Sequence, residues 1–391
     1  MMNPNELLGM IRRGEDSRRQ FKRIIKSEAE LAEDMVAFSN GDGGIILVGV
    51  ADDGTVTGLS TREVAELNKR ISNAASQYVR PEPRVLTENV ETPEGLVVVI
   101  SIPQGLSKPY TDKDGIFWMK KGADNRKATS REELQRLFQS SGLIHADSTP
   151  VDGTSGEDID MLYFSSFFRT QYGKTPENSG ISFPQLLRNL NLLTREGELN
   201  IAGTLLFGVL PHLRLPAFIV KAAAFRGINI STDRYLDSRN LEGKIAEQFN
   251  AALAFLINNT GTRQNGRSVN SIGEPEVPHI VWEELVTNAL IHRDYFTSAS
   301  VRILVFSDRV EIVSPGHLPN NLTVENIKAG NSNIRNPILA SYAAKILPYR
   351  GLGSGIIRAV DAYPDIDFID DRDGNLFKVI VKRNNAGSMG L

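Results

Sequence analysis

Glu283-Glu284-Leu285-Val286-Thr287-Asn288-Ala289-Leu290-Ile291-His292 sets a carboxylate, an amide and an imidazole at i, i+4 and i+8, through Glu284, Asn288 and His292. On an α-helix that spacing aligns the three on one stripe. Val281, Leu285, Val286, Ala289 and Leu290 make much of the remaining surface apolar, so the helix is expected to be buried. Buried polar groups cost free energy unless a partner satisfies them. This trio suits a ligand such as a metal-bound phosphate. Further along, Arg350-Gly351-Leu352-Gly353-Ser354-Gly355-Ile356-Ile357-Arg358-Ala359 is a glycine-rich turn running into an apolar-periodic helix, a natural phosphate cradle.

The rest of the chain bounds the reading. Its 391 residues suffice for two or three domains. A formal net charge of −3 announces no global affinity for polyanions, so any such surface is local. The absence of cysteine excludes disulfides, thiol catalysis and cysteine-based zinc sites, and fits a reducing cytosol. MMNPNELLGMIRRGEDSRRQ contains no signal-peptide apolar region. No apolar run reaches the roughly 18 residues that span a bilayer. The expectation is a cytoplasmic protein without membrane association.

Strands and helices are mixed throughout, which indicates an α/β (mixed α+β) chain. In the first segment, 1–145, strands are expected at Arg18–Ile25, Ile45–Val50, Leu96–Ile102 and Gly115–Lys120, with a hairpin signal at Asp53-Gly54. Helices are expected at Glu28–Phe38, Thr61–Val79 and Ser130–Phe138, the last with Ser130 as N-cap. Residues 146–157 (DSTPVDGTSGED) read as a linker. Residues 158–274 read as a connecting segment with helices at Asp158–Tyr172, Ser182–Leu190 and Leu241–Asn258 and a strand at Ala217–Phe225. Residues 275–391 hold the opening helix, strands at Ser300–Phe306, Arg309–Ser314 and Leu376–Lys382, and a polar loop at Leu318–Asn336. Gly173-Lys174-Thr175 imitates the end of a P-loop, but Phe168 stands where that loop needs glycine.

Cations gather in two places, Arg12 to Lys26 and Lys120 to Lys127. They fit either a solvated face or a phosphate-backbone surface. Arg18, Arg19, Lys22, Arg23, Lys120, Lys121 and Arg126 are the nucleic-acid-binding candidates. Phe117, Trp118 and Tyr110 lie near the second group and suit either base stacking or core packing.

The helix stripe and the glycine turn, in this order and with strands between, resemble the GHKL ATPases, among them gyrase, the histidine kinases and MutL. Residues 275–383 are more similar to the divergent GHKL-type domain at the C-terminus of bacterial proteins labelled transcriptional regulators or RecG-like. VWEELVTNALIHRDY, VEIVSPGHLP, NSNIRNPILA and YRGLGSGIIRAV carry the likeness. The resemblance implies an α/β sandwich that takes ATP with Mg²⁺. It implies Glu284 as general base and Asn288 as the Mg²⁺ ligand. Gly351, Gly353 and Gly355 become the second glycine box, Asn331–Asn336 part of the lid, and His292, Ser314 and Gly316 further members of the nucleotide site. By chemistry rather than by motif, Arg335 and Arg350 are candidates for phosphate neutralisation. Ser314 stands where the family places the aspartate that binds the adenine amino group, so binding is expected over efficient turnover.

EDSRRQFK, AFSNGDGGIILVGVADDG and KPYTDKDGIFWMKKGADNRKATSREEL resemble, in order, the Schlafen-type AlbA domain over about residues 12–138. The resemblance implies nucleic-acid binding. Some members are metal-dependent RNases that cut transfer RNA with three carboxylates. The matching positions here are Glu15, Gln20 and Asp52, with Glu15 and Asp52 as catalytic and metal-ligating candidates for Mg²⁺ or Mn²⁺. Gln20 carries no charge, so binding is expected over cleavage. LNIAGTLLFGVLPHLRLPAFIVKAAAFRG is similar to the segment joining the two domains in the same protein group.

The leading expectation is an ATP-responsive nucleic-acid-binding regulator, DNA or RNA, working as a homo-oligomer. One alternative is a Schlafen-like RNase acting on transfer RNA in stress or antiphage defence, gated by nucleotide. The other is an oligomeric scaffold with degenerate sites.

Overall fold

The apolar run Ile45–Val50 supplies the middle of a four-stranded sheet. The computed structural model describes residues 2–141, 144–230, 235–263, 274–319, 322–349, 351 and 353–383. The chain divides into two units, Met1–Ile144 and His145–Leu391. In the first, strands Arg19–Lys22, Gly44–Val48, Gly95–Ile102 and Leu86–Thr92 lie in that order. The first two are parallel, joined by the helix Glu28–Asn40, and the others are antiparallel. Ile46, Val48, Val98 and Ile100 pack on one face with that helix, and Phe21, Leu47, Val97 and Val99 pack on the other with Leu7 and Ile11. Burial on both faces explains a continuous apolar run in place of alternation. Ser130 caps Arg131–Ser140, its hydroxyl accepting from Glu133 N at 3.2 Å. Leu86–Thr92 was not legible because only Val90 of this edge strand is buried.

The second unit is built on a six-stranded sheet ordered Tyr235–Leu241, Val220–Phe225, Val301–Val305, Arg309–Pro315, Leu376–Lys382, Ile366–Asp371. Only Val220–Phe225 and Val301–Val305 run parallel. The stretch expected to connect two domains therefore contributes two strands to the same sheet as the last segment. Helices Ile245–Asn259 and His279–Ile291 share its core, through Phe249, Phe255, Leu285 and Ile291 among others.

Residues 146–157 differ from the expected linker. Asp147 is fully buried, and its Oδ2 accepts from Ile338 N at 2.7 Å and Leu339 N at 3.0 Å, capping the helix Pro337–Ile346. Val151 N donates to Leu199 O at 2.8 Å, and the Thr154 hydroxyl donates to Val151 O. Small polar residues are buried here because their hydrogen bonds are made internally. Within the polar loop Leu318–Asn336, Val324–Lys328 forms a short helix capped by Thr323. Ile201–Phe207 is a helix buried at every position, with Asn200 as its N-cap. No helix among the described residues is long and apolar enough to cross a membrane.

Candidate nucleotide site

The helix His279–Ile291 is enclosed on nearly every side, with Val281, Trp282, Leu285 and Val286 in the core. Glu284, Asn288 and His292 emerge from it into one cleft of about 1030 Å³, part of it open to solvent. The same cleft receives Ser314, Gly316, Gly351, Gly353 and Gly355, and Asn331–Asn333 from the expected lid. Leu285, Ala289, Ile312, Phe377 and Val379 supply apolar lining. An apolar cleft with a few convergent polar groups suits an organic ligand.

Glycine is required where the turn meets its neighbours. Gly353 has φ +72°, and a Cβ there would lie 2.2 Å from Gly330 O at the start of the lid. A Cβ on Gly355 would lie 2.3 Å from Glu284 Oε2. The backbone thus approaches the carboxylate closely, and a side chain at 355 would push Glu284 aside. Gly355 opens the helix Gly355–Ala362, whose N-cap Ser354 makes no side-chain cap. The first amides of that helix have no intrahelical partner and face the positive end of its dipole, the environment an anion favours.

Asn288 Nδ2 donates to Glu284 O at 2.8 Å, which leaves Oδ1 as the acceptor of that amide. The buried Glu284 carboxylate pairs with Arg358 Nη2 at 2.5 Å. A water to be oriented by Glu284 would compete with this guanidinium. His292 Nε2 lies 3.1 Å from the Tyr349 hydroxyl. Burial, reinforced by the Arg335 charge, lowers the His292 pKa to about 4. Burial and the Glu284 charge raise that of Tyr349. Neutral imidazole and protonated phenol allow this hydrogen bond in either sense, Tyr349 donating to Nε2 or an Nε2–H donating to the phenol oxygen. The Ser314 hydroxyl donates to Ala289 O at 3.1 Å, so the oxygen offers the cleft only acceptor capacity.

Arg335 is not brought into the cleft. Its Nη2 donates to His317 O at 2.7 Å and its Nη1 reaches His292 O at 3.5 Å. Neighbouring Asn336, fully buried, donates through Nδ2 to Ile291 O and Arg293 O, both at 2.8 Å. The two residues satisfy carbonyls at the C-terminal end of the site helix, where a cation also complements the dipole. Arg350 lies outside the described residues. Arg358 and Tyr349 were missed in the sequence. Arg358 had one signal: a cation in the first turn of a helix runs against the dipole preference and asks for a local anion.

The N-terminal candidates do not converge in the same way. Among the described residues no group of three His, Cys, Asp or Glu is placed to hold a metal. Glu15 Oε1 accepts from Phe21 N at 2.7 Å, Gln20 Oε1 accepts from Lys120 Nζ at 2.7 Å, and Asp52 is exposed in a turn. The donor set expected for Mn²⁺ is therefore not assembled. Lys22 turns toward the buried Asp34, 3.6 Å away, which also accepts from Asn125 Nδ2 at 2.6 Å. Arg18 pairs with Asp42 at 3.2 Å, Arg19 with Asp16, and Arg126 with Glu133. Arg23 and Lys121 are exposed. Tyr110 is buried, Phe117 packs edge-on against Phe138, and Trp118 Nε1 donates to Asp112 Oδ2 at 2.8 Å. These contacts place Tyr110 and Phe117 in the packing of the fold and anchor the Trp118 indole.

Comparison with known proteins agrees with both halves. Residues 15–129 match the family model described as Schlafen, AlbA_2. Residues 298–376 match the one described as putative ATP-dependent DNA helicase recG C-terminal. The second match takes in Ser314, Gly316 and the glycine turn and begins beyond Glu284, Asn288 and His292. No curated protein matches the chain. Among solved structures, the DIP2311 protein from Corynebacterium diphtheriae is 19% identical, covering 96% of this chain and 79% of its own at a TM-score of 0.46. The N-terminal domain of a putative ATP-dependent DNA helicase RecG-related protein from Nitrosomonas europaea is also 19% identical, over 34% of this chain and 97% of its own, at a TM-score of 0.22. The chain therefore pairs a Schlafen AlbA_2-type domain with a RecG-C-terminal, ATPase-like domain.

Proposed function

We propose that the chain is an ATP-responsive nucleic-acid-binding regulator that reads nucleotide through the cleft beneath the glycine turn. The observation that carries this reading is the close approach of Gly355 to Glu284, with Asn288 on the same helix. A glycine backbone, unpaired helix amides and a side-chain amide oxygen in one apolar cleft together suit a nucleotide triphosphate. Asn288 Oδ1 would hold Mg²⁺ alongside the phosphates. When bound, the ion neutralises phosphate charge. The apolar lining from Ile312, Phe377 and Val379 would take the base, and Ser314, as an acceptor, would favour a ring amino group. The Glu284–Arg358 pair favours binding over turnover. A ligand that binds only the native state raises apparent stability by about 2.7 kcal/mol at one hundred times its Kd. ATP·Mg²⁺ should therefore raise the Tm of the full chain, and Asn288→Ala should diminish the rise. No rise, or an equal rise in the variant, defeats the reading.

The regulatory half of the reading requires nucleic-acid affinity that changes with nucleotide, since a ligand shifts an equilibrium only by its differential affinity for the two states. Arg18, Arg23 and Lys121 are exposed candidates for phosphate contacts, Arg18 in a solvent-exposed pair with Asp42. Fluorescence anisotropy of labelled nucleic acid with and without ATP tests it.

A further inference from the structure

The side chains gathered around Asp34 in the N-terminal unit form a polar site of their own. Gln20 and Lys22 alternate with the buried Phe21, so they share the opposite face of their strand. Asp34 reaches them from the helix Glu28–Asn40, and Lys120 and Asn125 from the hairpin Trp118–Lys121 and Asp124–Lys127. The Lys120 ammonium donates to Gln20 Oε1 at 2.7 Å and Ala123 O at 3.0 Å, and lies 4.5 Å over the Phe38 ring. An ammonium has three donors, so two oxygens and a ring face occupy most of its coordination. Burial lowers the Lys120 pKa, while Asp34, Glu15 and Asp124 act in the other direction. Asp34 has a second cation, Lys22, and the amide of Asn125.

The side-chain oxygen that a divalent ion would need from Gln20 is thus already held by a positive charge. An ion beside it would meet two lysines, and the two nearby carboxylates are already engaged, Glu15 by Phe21 N and Asp34 by Lys22 and Asn125. Hard cations at oxygen sites depend on the number of charged ligands. We propose that the Lys120 ammonium is the resident cation of this site, excluding divalent metal, and that the N-terminal unit engages nucleic acid without a metal ion. The second clause rests on the nucleic-acid reading above; the first does not.

The test uses the full chain in the Asn288→Ala background, which removes the candidate Mg²⁺ ligand of the other unit. Free Mn²⁺ is followed by electron paramagnetic resonance during titration. The expected result is no Mn²⁺ binding sensitive to Glu15→Ala. Adding Gln20→Glu with Lys120→Met should tighten Mn²⁺ binding on the order of tenfold or more, as a charged ligand is gained and the competing cation removed. Lys22 remains to pair Asp34 in that variant. Mn²⁺ bound by the starting protein and lost in Glu15→Ala overturns the proposal, as does a folded double variant with no gain. Anisotropy of labelled RNA requires no variant and should give affinities in EDTA and in Mn²⁺ agreeing within about twofold, well inside one factor of ten per 1.4 kcal/mol. A strong dependence on Mn²⁺ overturns the metal-free grip. RNA that does not bind at all defeats the nucleic-acid reading and leaves the Mn²⁺ titration to decide the role of Lys120.

Discussion

Gly353→Ala is the sharpest perturbation of the candidate nucleotide site. An L-residue at φ +72° bears about 1–2 kcal/mol of backbone strain. The added Cβ would also lie 2.2 Å from Gly330 O, where about 3.5 Å is comfortable, so turn and lid must part by about 1 Å. If the turn has to hold its present shape to accept phosphate, the strain is subtracted from binding. At 1.4 kcal/mol per factor of ten, ATP affinity falls by roughly 5- to 30-fold. Gly180→Ala is the control. Its φ of +81° imposes similar strain, yet its Cβ would point into open space and it does not line the cleft. Isothermal titration with ATP·Mg²⁺, well below either variant's Tm, reads the difference. Wild-type affinity in Gly353→Ala would refute the reasoning, as would an equal loss in Gly180→Ala.

Two further effects follow from the same cleft. Breaking a buried ion pair from one side is costly, but the Arg358 side chain is 32% exposed, which screens the pair. A double-mutant cycle of Glu284→Gln and Arg358→Met, read by urea unfolding, should give a coupling of about 1–2 kcal/mol; additive losses would show that the pair contributes nothing. His292 has its folded pKa lowered from 6.5 to about 4, so the unfolded chain binds more protons between those values. Its contribution is complete above pH 6.5 and is lost as pH falls toward 4, approaching ~3 kcal/mol at most because part of the residue faces the cleft. His292→Gln should flatten that portion of the stability–pH curve; an unchanged slope sinks the assignment.

Much of the second unit was legible because its signals are local. The spacing of Glu284, Asn288 and His292 needs only helical periodicity, and the glycine turn needs only its composition. Side-chain destinations were not legible. Arg335 carries the right charge for phosphate, but its fate depends on carbonyls at a helix end brought near by the fold. Lys22 and Lys120 looked like surface cations, and the buried Asp34 that draws Lys22 inward sits in a helix, Glu28–Asn40, expected from sequence without its destination. Edge strands such as Tyr235–Leu241, with only Leu241 buried, carry no alternation to detect. The segment 146–157 was misjudged because polar composition reports exposure only when hydrogen bonds are not made inside.

The tether between Asp147 and the helix Pro337–Ile346 has a mechanical consequence. Asp147 Oδ2 holds the amides of Ile338 and Leu339, and His145 Nδ1 lies 3.2 Å from Arg335 O. Asn333, two residues before Arg335, lines the cleft. The first residues past the boundary between the units are therefore fastened to the segment that leaves the cleft. Shifting that segment while residues 145–147 stay still means breaking three hydrogen bonds, each about 0.5–1.5 kcal/mol or more where a carboxylate accepts. Moving both together keeps them. Within the second unit, residues 145–147 and the segment that leaves the cleft are thus held as one piece.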